Sequence, residues 1–193
     1  MKRIIVAVSV LVVLGGAFAI IQLSMPAWYA RWWYPLNNAD TVRTNAGRYH
    51  LEPDLVAAVI YQESDFKEDS TSRSGAVGMM QLMPETAAWI ASKTGDQPPS
   101  RDDLKSPATN IRYGCWYLRY LLDRYGGSES LALAAYNGGS ENVDRWLATA
   151  RASGRKFNSA VDIPYPETRE YITSVDKVKL IYQRAYGADL ELQ

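Results

Sequence analysis

Among the carboxylates of this chain, Glu63 is set apart by its neighbours. Leu55, Val56, Val59 and Ile60 recur at helical spacing, and at about 100° per residue they form one apolar stripe. Glu63 lies three and four residues beyond Ile60 and Val59, inside that stripe. A carboxyl on the core-facing side of a helix loses hydration, which penalises its ionised form and raises its pKa. Such a group can hold a proton near neutrality and deliver it to a glycosidic oxygen. The same placement would suit a structural glutamate paired with arginine or backbone donors, and periodicity does not choose between them.

The segment that follows adds partners for such chemistry. Ser72 comes nine residues after Glu63, and then Gly75-Ala76-Val77-Gly78-Met79-Met80-Gln81-Leu82-Met83-Pro84. Two glycines permit positive φ and close backbone approach, as the floor of a cleft requires. Gln81 offers donors and acceptors for sugar hydroxyl and acetamido groups, and methionines can line an adaptable apolar surface. The plainer alternative is a turn leading into a helix whose methionines pack inward.

Other chemistries are closed off by composition. Cys115 is the only cysteine and His50 the only histidine. That excludes an intrachain disulfide, a soft metal cluster and a zinc site on paired histidines. Acid–base work therefore falls to carboxylates. Basic and acidic residues balance at 21 each, which argues against nucleic acid as a partner. Tyr (13) and Trp (6) far outnumber Phe (3); aromatics with a polar handle suit sugar stacking, membrane interfaces and ordinary cores alike.

The elements that must position Glu63 are helices. Gly, Pro and Ser punctuate the chain, and no alternating strand pattern stands out. The spacing predicts helices from Asp54 to Ser64, Pro84 to Lys93, Ala108 to Tyr125, Ser128 to Tyr136, Ser140 to Ser153 and Pro166 to Tyr186. Ahead of them, Lys2-Arg3 precede an uncharged run from Ile4 to Leu23, long enough to cross ~30 Å of hydrocarbon. Trp28, Tyr29, Trp32, Trp33 and Tyr34 follow, interleaved with Arg31, like an interfacial belt. A signal cleaved after Ala17-Phe18-Ala19 is the competing reading; both readings export the body. We expect an anchor or signal over residues 1–27, an aromatic flank and linker over 28–48, with a short helix joined to the linker between Pro35 and Leu51, and one mainly α domain over 49–190. The retained anchor is favoured, with the membrane met through residues 4–23 and the body extracytoplasmic.

Four blocks of this sequence resemble the signatures of SLT-type lytic murein transglycosylases, in the goose-lysozyme-like superfamily. They are Glu63-Ser64, Gly78-Met79-Met80-Gln81, Ala134-Ala135-Tyr136-Asn137-Gly138-Gly139 and Ile163-Pro164-Tyr165-Pro166-Glu167-Thr168-Arg169-Glu170-Tyr171. Met79 stands where the family often has Leu, a departure that conserves volume. The resemblance spans roughly Asp40 to Gly187. It implies a lysozyme-like, mostly helical domain (α+β in broad classification) with a cleft across it.

By position, Glu63 would be the catalytic acid/base, and Ser72 would orient its carboxyl or the substrate acetamido group. Gly78, Met80, Gln81, Met83, Tyr136 and Asn137 would bind substrate around the scissile bond. Glu167 and Tyr171 would lie on the helix closing the site, with Tyr171 hydrogen-bonding Glu63. Read without the resemblance, Tyr136 is a core aromatic and Glu167 a carboxylate facing a helix dipole. The resemblance implies cleavage of peptidoglycan glycan strands by a monomer, without metal or organic cofactor, leaving 1,6-anhydromuramic ends. A hydrolase on the same fold and a catalytically silent wall-binding module are the rival readings.

Overall fold

The computed structural model describes residues 25–191. Its helices are α1 (Ala27–Trp33), α2 (Ala39–Arg48), α3 (Pro53–Ser64), α4 (Pro84–Thr94), α5 (Pro107–Arg124), α6 (Glu129–Gly138), α7 (Ser140–Ala152), the single turn α8 (Ser159–Asp162) and α9 (Pro166–Leu190). A 3-10 turn at Asp103–Lys105 leads into α5. Proline opens α3, α4, α5 and α9, where its missing N–H costs nothing and its fixed φ suits the first turn. α6 is capped instead by Ser128, whose hydroxyl accepts the Leu131 N–H at 3.4 Å. Gly139, at φ +85°, breaks the chain between α6 and α7, a conformation glycine enters without penalty.

α3 is the axis of the body. Leu55, Val56, Ala57, Ala58, Val59 and Ile60 are all at most 2% exposed. The helix is therefore enclosed around its whole circumference rather than along one stripe, as a core helix is. α9 and α2 pack along it. Ile172, Val175, Val178 and Tyr182 of α9, three or four residues apart, join it in one core together with Tyr171. A smaller core holds Val77, Leu82, Ala87, Ile90, Leu104 and Tyr113 beneath α4.

The loop between α3 and α4 is pinned at the junction of these two cores by Asn110, which is completely buried. Its Oδ1 accepts the Met80 N–H at 2.7 Å, and its Nδ2 donates to Val77 O at 2.9 Å and Leu104 O at 2.7 Å. Gly78 has φ +80°, and a Cβ there would lie 2.2 Å from Leu104 O and 2.3 Å from Asn110 Nδ2. Backbone cannot yield to that approach, so the position requires glycine. From the other side, the Ser64 hydroxyl at the end of α3 donates to Met79 O at 2.8 Å.

Two expectations need correction. The α+β classification finds only isolated bridges, Thr71 with Val77 and Val77 with Leu82; among the described residues no strand forms, because the loop's backbone groups are taken by Asn110 and by tight turns. Residues 28–48 do not behave as a linker. Val42 and Ala46, one helical turn apart, are fully buried in the main core, and α1 is tied to α9. There Arg31 Nε donates to Ala185 O at 2.8 Å, Tyr186 OH to Tyr34 O at 2.9 Å and Tyr182 OH to Pro35 O at 2.7 Å. The polar surface of α2 hid the short apolar seam that docks it. Trp28, Trp32 and Trp33 remain exposed. The apolar run 4–23, and the choice between anchor and cleaved signal, lies outside the described residues. Among those described, no helix is long and apolar enough to cross a membrane.

Replacing Asn110 by alanine should leave the buried Met80 N–H and Leu104 O without a partner, while Val77 O keeps the Leu82 N–H at 3.0 Å. At about 1–3 kcal/mol per unsatisfied group, partly relieved by relaxation, the variant should lose about 2–5 kcal/mol. Urea unfolding measures it; a loss below 1 kcal/mol would show the loop is held by something else.

Candidate active site

Glu63 occupies the last turn of α3, which stops at Asp65 in the left-handed conformation (φ +54°). The end of the enclosed helix thereby opens at the floor of a polar cleft. Gln62, Glu63, Asn137, Glu167, Glu170, Tyr171 and Ser174 line a pocket of about 320 Å³ there. Tyr171 OH donates to Glu63 Oε1 at 2.6 Å across 108 residues of sequence. Burial pushes the Glu63 carboxyl up to about 7, against the lowering effect of that hydrogen bond. Among the described residues, no Lys, Arg or His pairs with it. A carboxyl in this setting can be neutral and donating, or ionised and accepting, within a narrow range around neutral pH.

The phenols around it keep their protons. Burial first, and the nearby Glu63 carboxyl second, raise the pKa values of Tyr171 and Tyr136 well above the ordinary phenol value. Tyr136 OH donates to Met80 O at 2.8 Å, so its half-buried ring is fixed over the loop that Asn110 holds from below. Asn137 Oδ1 accepts from Thr168 Oγ1 at 2.8 Å, which ties the end of α6 to the start of α9.

The structure brings Glu63, Asn137, Glu167 and Tyr171 to one pocket and sets Tyr136 beside it, but it does not treat all the expected binding residues alike. Met80 is completely buried in the main core, and its sulfur fills the space where a side chain on Gly114 would sit. Gly78 packs on Leu104 and Asn110. Neither side of the Gly78–Met80 turn is available to substrate, because the turn's tightness is what buries it. These two are supports, a correction to the expectation that they bind.

Gln81, at φ +45°, donates through Nε2 to Gly78 O at 2.8 Å and Ser70 O at 3.2 Å, so its amide nitrogen braces the loop. The Ser72 hydroxyl accepts from Ala76 N at 2.9 Å and meets Ser74 Oγ at 2.9 Å, closing its own turn. Met83 is half-buried at the start of α4.

Gln62, Glu170 and Ser174 were not foreseen from sequence. For two of them a signal existed: Glu167, Glu170, Tyr171 and Ser174 recur at three- and four-residue spacing, one face of α9. Among the described residues no three His, Cys, Asp or Glu side chains gather as a metal site would need.

A mainly helical body with a half-buried carboxylic acid at the floor of a polar cleft has the architecture of the lysozyme-like class. Residues 40–158 match the transglycosylase SLT domain, and the chain belongs to that family. It is 31% identical over 157 residues to the soluble lytic murein transglycosylase of Escherichia coli K12, covering 80% of this chain and 24% of that one. To the membrane-bound lytic murein transglycosylase C of Edwardsiella ictaluri it is 32% identical, covering 75% of this chain and 46% of the relative. The lytic transglycosylase Slt of Pseudomonas aeruginosa, solved as an inactive glutamate-to-glutamine mutant, superposes with a TM-score of 0.73 at 34% identity. That match covers 80% of this chain and 25% of the other. The chain thus spans about a quarter of the length of the soluble relatives and less than half of the membrane-bound one.

The raised pKa of Glu63 makes a stability prediction whose sign is fixed. Between its ordinary value of 4.5 and about 7, the folded state holds a proton that the unfolded chain has released, so stability falls as pH rises through that window. Glu63→Gln removes this dependence. It should match wild type near pH 4 and exceed it above pH 8 by about 1–3 kcal/mol. Thermal melts across that range measure it; a variant less stable than wild type at high pH would mean Glu63 is ionised and paired.

Proposed function

We propose that this chain is a lytic transglycosylase, cleaving the β-1,4 bond between N-acetylmuramic acid and N-acetylglucosamine in peptidoglycan. The observation that carries the reading is a carboxyl that titrates near neutrality at the floor of a cleft, oriented by Tyr171. A single such group can act as acid and then as base. Glu63 protonates the glycosidic oxygen while the substrate's 2-acetamido group supports the cation developing at C1. The resulting carboxylate then takes the proton of the muramic C6 hydroxyl as that oxygen bonds to C1. One glycosidic bond breaks, one intramolecular C–O bond forms, the proton returns to Glu63, and no water is consumed.

Asn137 and Glu167 bind the strand from the walls of the Glu63 pocket, and Tyr136, Gln81 and Met83 from the rim. Ser72 acts through the loop that it closes. A second reading, hydrolysis, draws on Glu167 and Glu170 lining the same pocket, since most glycosidases use a second carboxylate to activate water or attack.

Glu63→Gln should lower muropeptide release by about 10²–10⁴-fold or more, because one group serves both steps. Mass spectrometry of the wild-type digest separates the two chemistries: anhydro ends are lighter than reducing ends by one water. Undiminished release by a folded Glu63→Gln variant would sink the mechanism, and reducing ends would establish hydrolysis.

The same proposal places the body, residues 49–190, outside the cell, monomeric and held to the membrane through residues 4–23. The uncharged run and the exposed Trp28, Trp32 and Trp33 beside it support an anchor. After a high-salt wash the full chain should stay with membranes. Recovery of a soluble form beginning near Ile20 would establish a cleaved signal instead.

A further inference from the structure

Tyr136, beside the Glu63 pocket, is in ring contact with a second group of aromatics. Its ring lies 5.5 Å from that of Tyr117 on α5. Beyond Tyr117 a second depression of about 290 Å³ opens, lined by Glu85, Thr86, Trp89, Tyr117, Tyr120 and Ser140. The junction of α6 and α7 borders both cavities: Asn137, near the end of α6, lines the Glu63 pocket and Ser140, at the start of α7, lines this one.

The rings here are ordered by one another. Tyr120 lies nearly parallel to Trp116 (4°) and to Tyr117 (11°). Trp89, from α4, stands across all three at 71–82°, with centroids 5.0–6.2 Å away. Edge-to-face contacts of this kind fix a ring's orientation. Trp89, Tyr117 and Tyr120 nonetheless stay partly exposed, and the polar residues Glu85, Thr86 and Ser140 line the depression with them. The result is a rigid apolar corner with a polar rim.

That combination has a chemical match. A β-linked aminohexose presents axial C–H bonds on its faces and hydroxyl and acetamido groups around its edge. Its face packs on an aromatic plane while its edge needs hydrogen-bonding groups. The volume falls at the small end of ligand sites, suited to one ring rather than a peptide chain.

We infer that Trp89, Tyr117 and Tyr120 form a distal saccharide subsite that stacks an N-acetylhexosamine ring of the strand whose scissile bond lies at Glu63. This inference rests on the proposed action on glycan strands. Its contribution is to hold the strand at a point remote from the reacting bond, binding energy that can be spent on orientation there.

The test uses the full chain carrying Glu63→Gln, so that the strand survives, and a soluble peptide-free N-acetylglucosamine oligomer as probe. The Trp89 indole N–H signal is identified by NMR as the one lost in Trp89→Leu, which keeps apolar bulk in the smaller core. The oligomer should shift that signal. Affinity should fall about tenfold in Trp89→Leu, and similarly in Tyr120→Leu, as expected for one lost aromatic contact.

In the active protein, the gain in kcat/KM on lengthening the strand should shrink by the same factor. A Trp89 signal unmoved by the oligomer, or moved as strongly by free stem peptide, overturns the subsite. If muropeptides are released while Trp89 is unmoved, the subsite fails and the catalytic proposal stands. If Trp89 responds but wild type releases no muropeptide, the reverse holds.

Discussion

A carboxyl group without a cationic partner among the described residues, at the end of a helix enclosed on every side, is the constraint around which this molecule is arranged. Water solvates an ionised glutamate far better than a protein interior does, so the fold must leave Glu63 protonated or accept the cost of its charge. Tyr171 moderates that cost by donating to Oε1, which keeps the ionised form within reach. The two effects oppose, and burial prevails, leaving the group near 7. A lysine or arginine beside it would have favoured the ionised carboxylate and removed the proton.

Holding such a group in one geometry requires a stiff surround, and the structure supplies it through a chain of buried hydrogen bonds. Ser64, the residue after Glu63, bonds Met79 O; Asn110 bonds the backbone on both sides of Met79; Tyr136 bonds Met80 O. Three helices thereby grip one turn, and no polar atom of Asn110 is left over. Gly78 is part of the same device, since only a residue without Cβ lets the turn come this close to Leu104. The motif between α3 and α4 is thus a support for the cleft more than a wall of it.

α9 plays the opposite part. One helix carries the core seam through Ile172 and Val175, the hydrogen bond to Glu63 through Tyr171, and a polar wall through Glu167, Glu170 and Ser174. Its C-terminal half also receives α1, by way of Arg31 and Tyr186. The position of the cleft wall and that of the segment following residues 4–23 are therefore set by the same rigid element.

Much of this was legible in the residues. Proline at the first helical position marks α3, α4, α5 and α9, and helical spacing singles out Glu63 before any relative is considered. The order of the four blocks identifies the family. Those signals are local, carried by residues within a turn or two of one another, so the chain alone determines them. Spacing could not say which side of each element another element would cover.

That decision made Gly78 and Met80 supports rather than binding residues, enclosed α3 on all faces instead of one, and docked two helices on the body where a linker and one short helix are expected. It also brought Tyr171 to Glu63 and added Glu170 and Ser174 to the site. The carboxyl's raised pKa has the same origin. It measures how much water the packed helices exclude, and that exclusion exists only once distant parts of the chain have met.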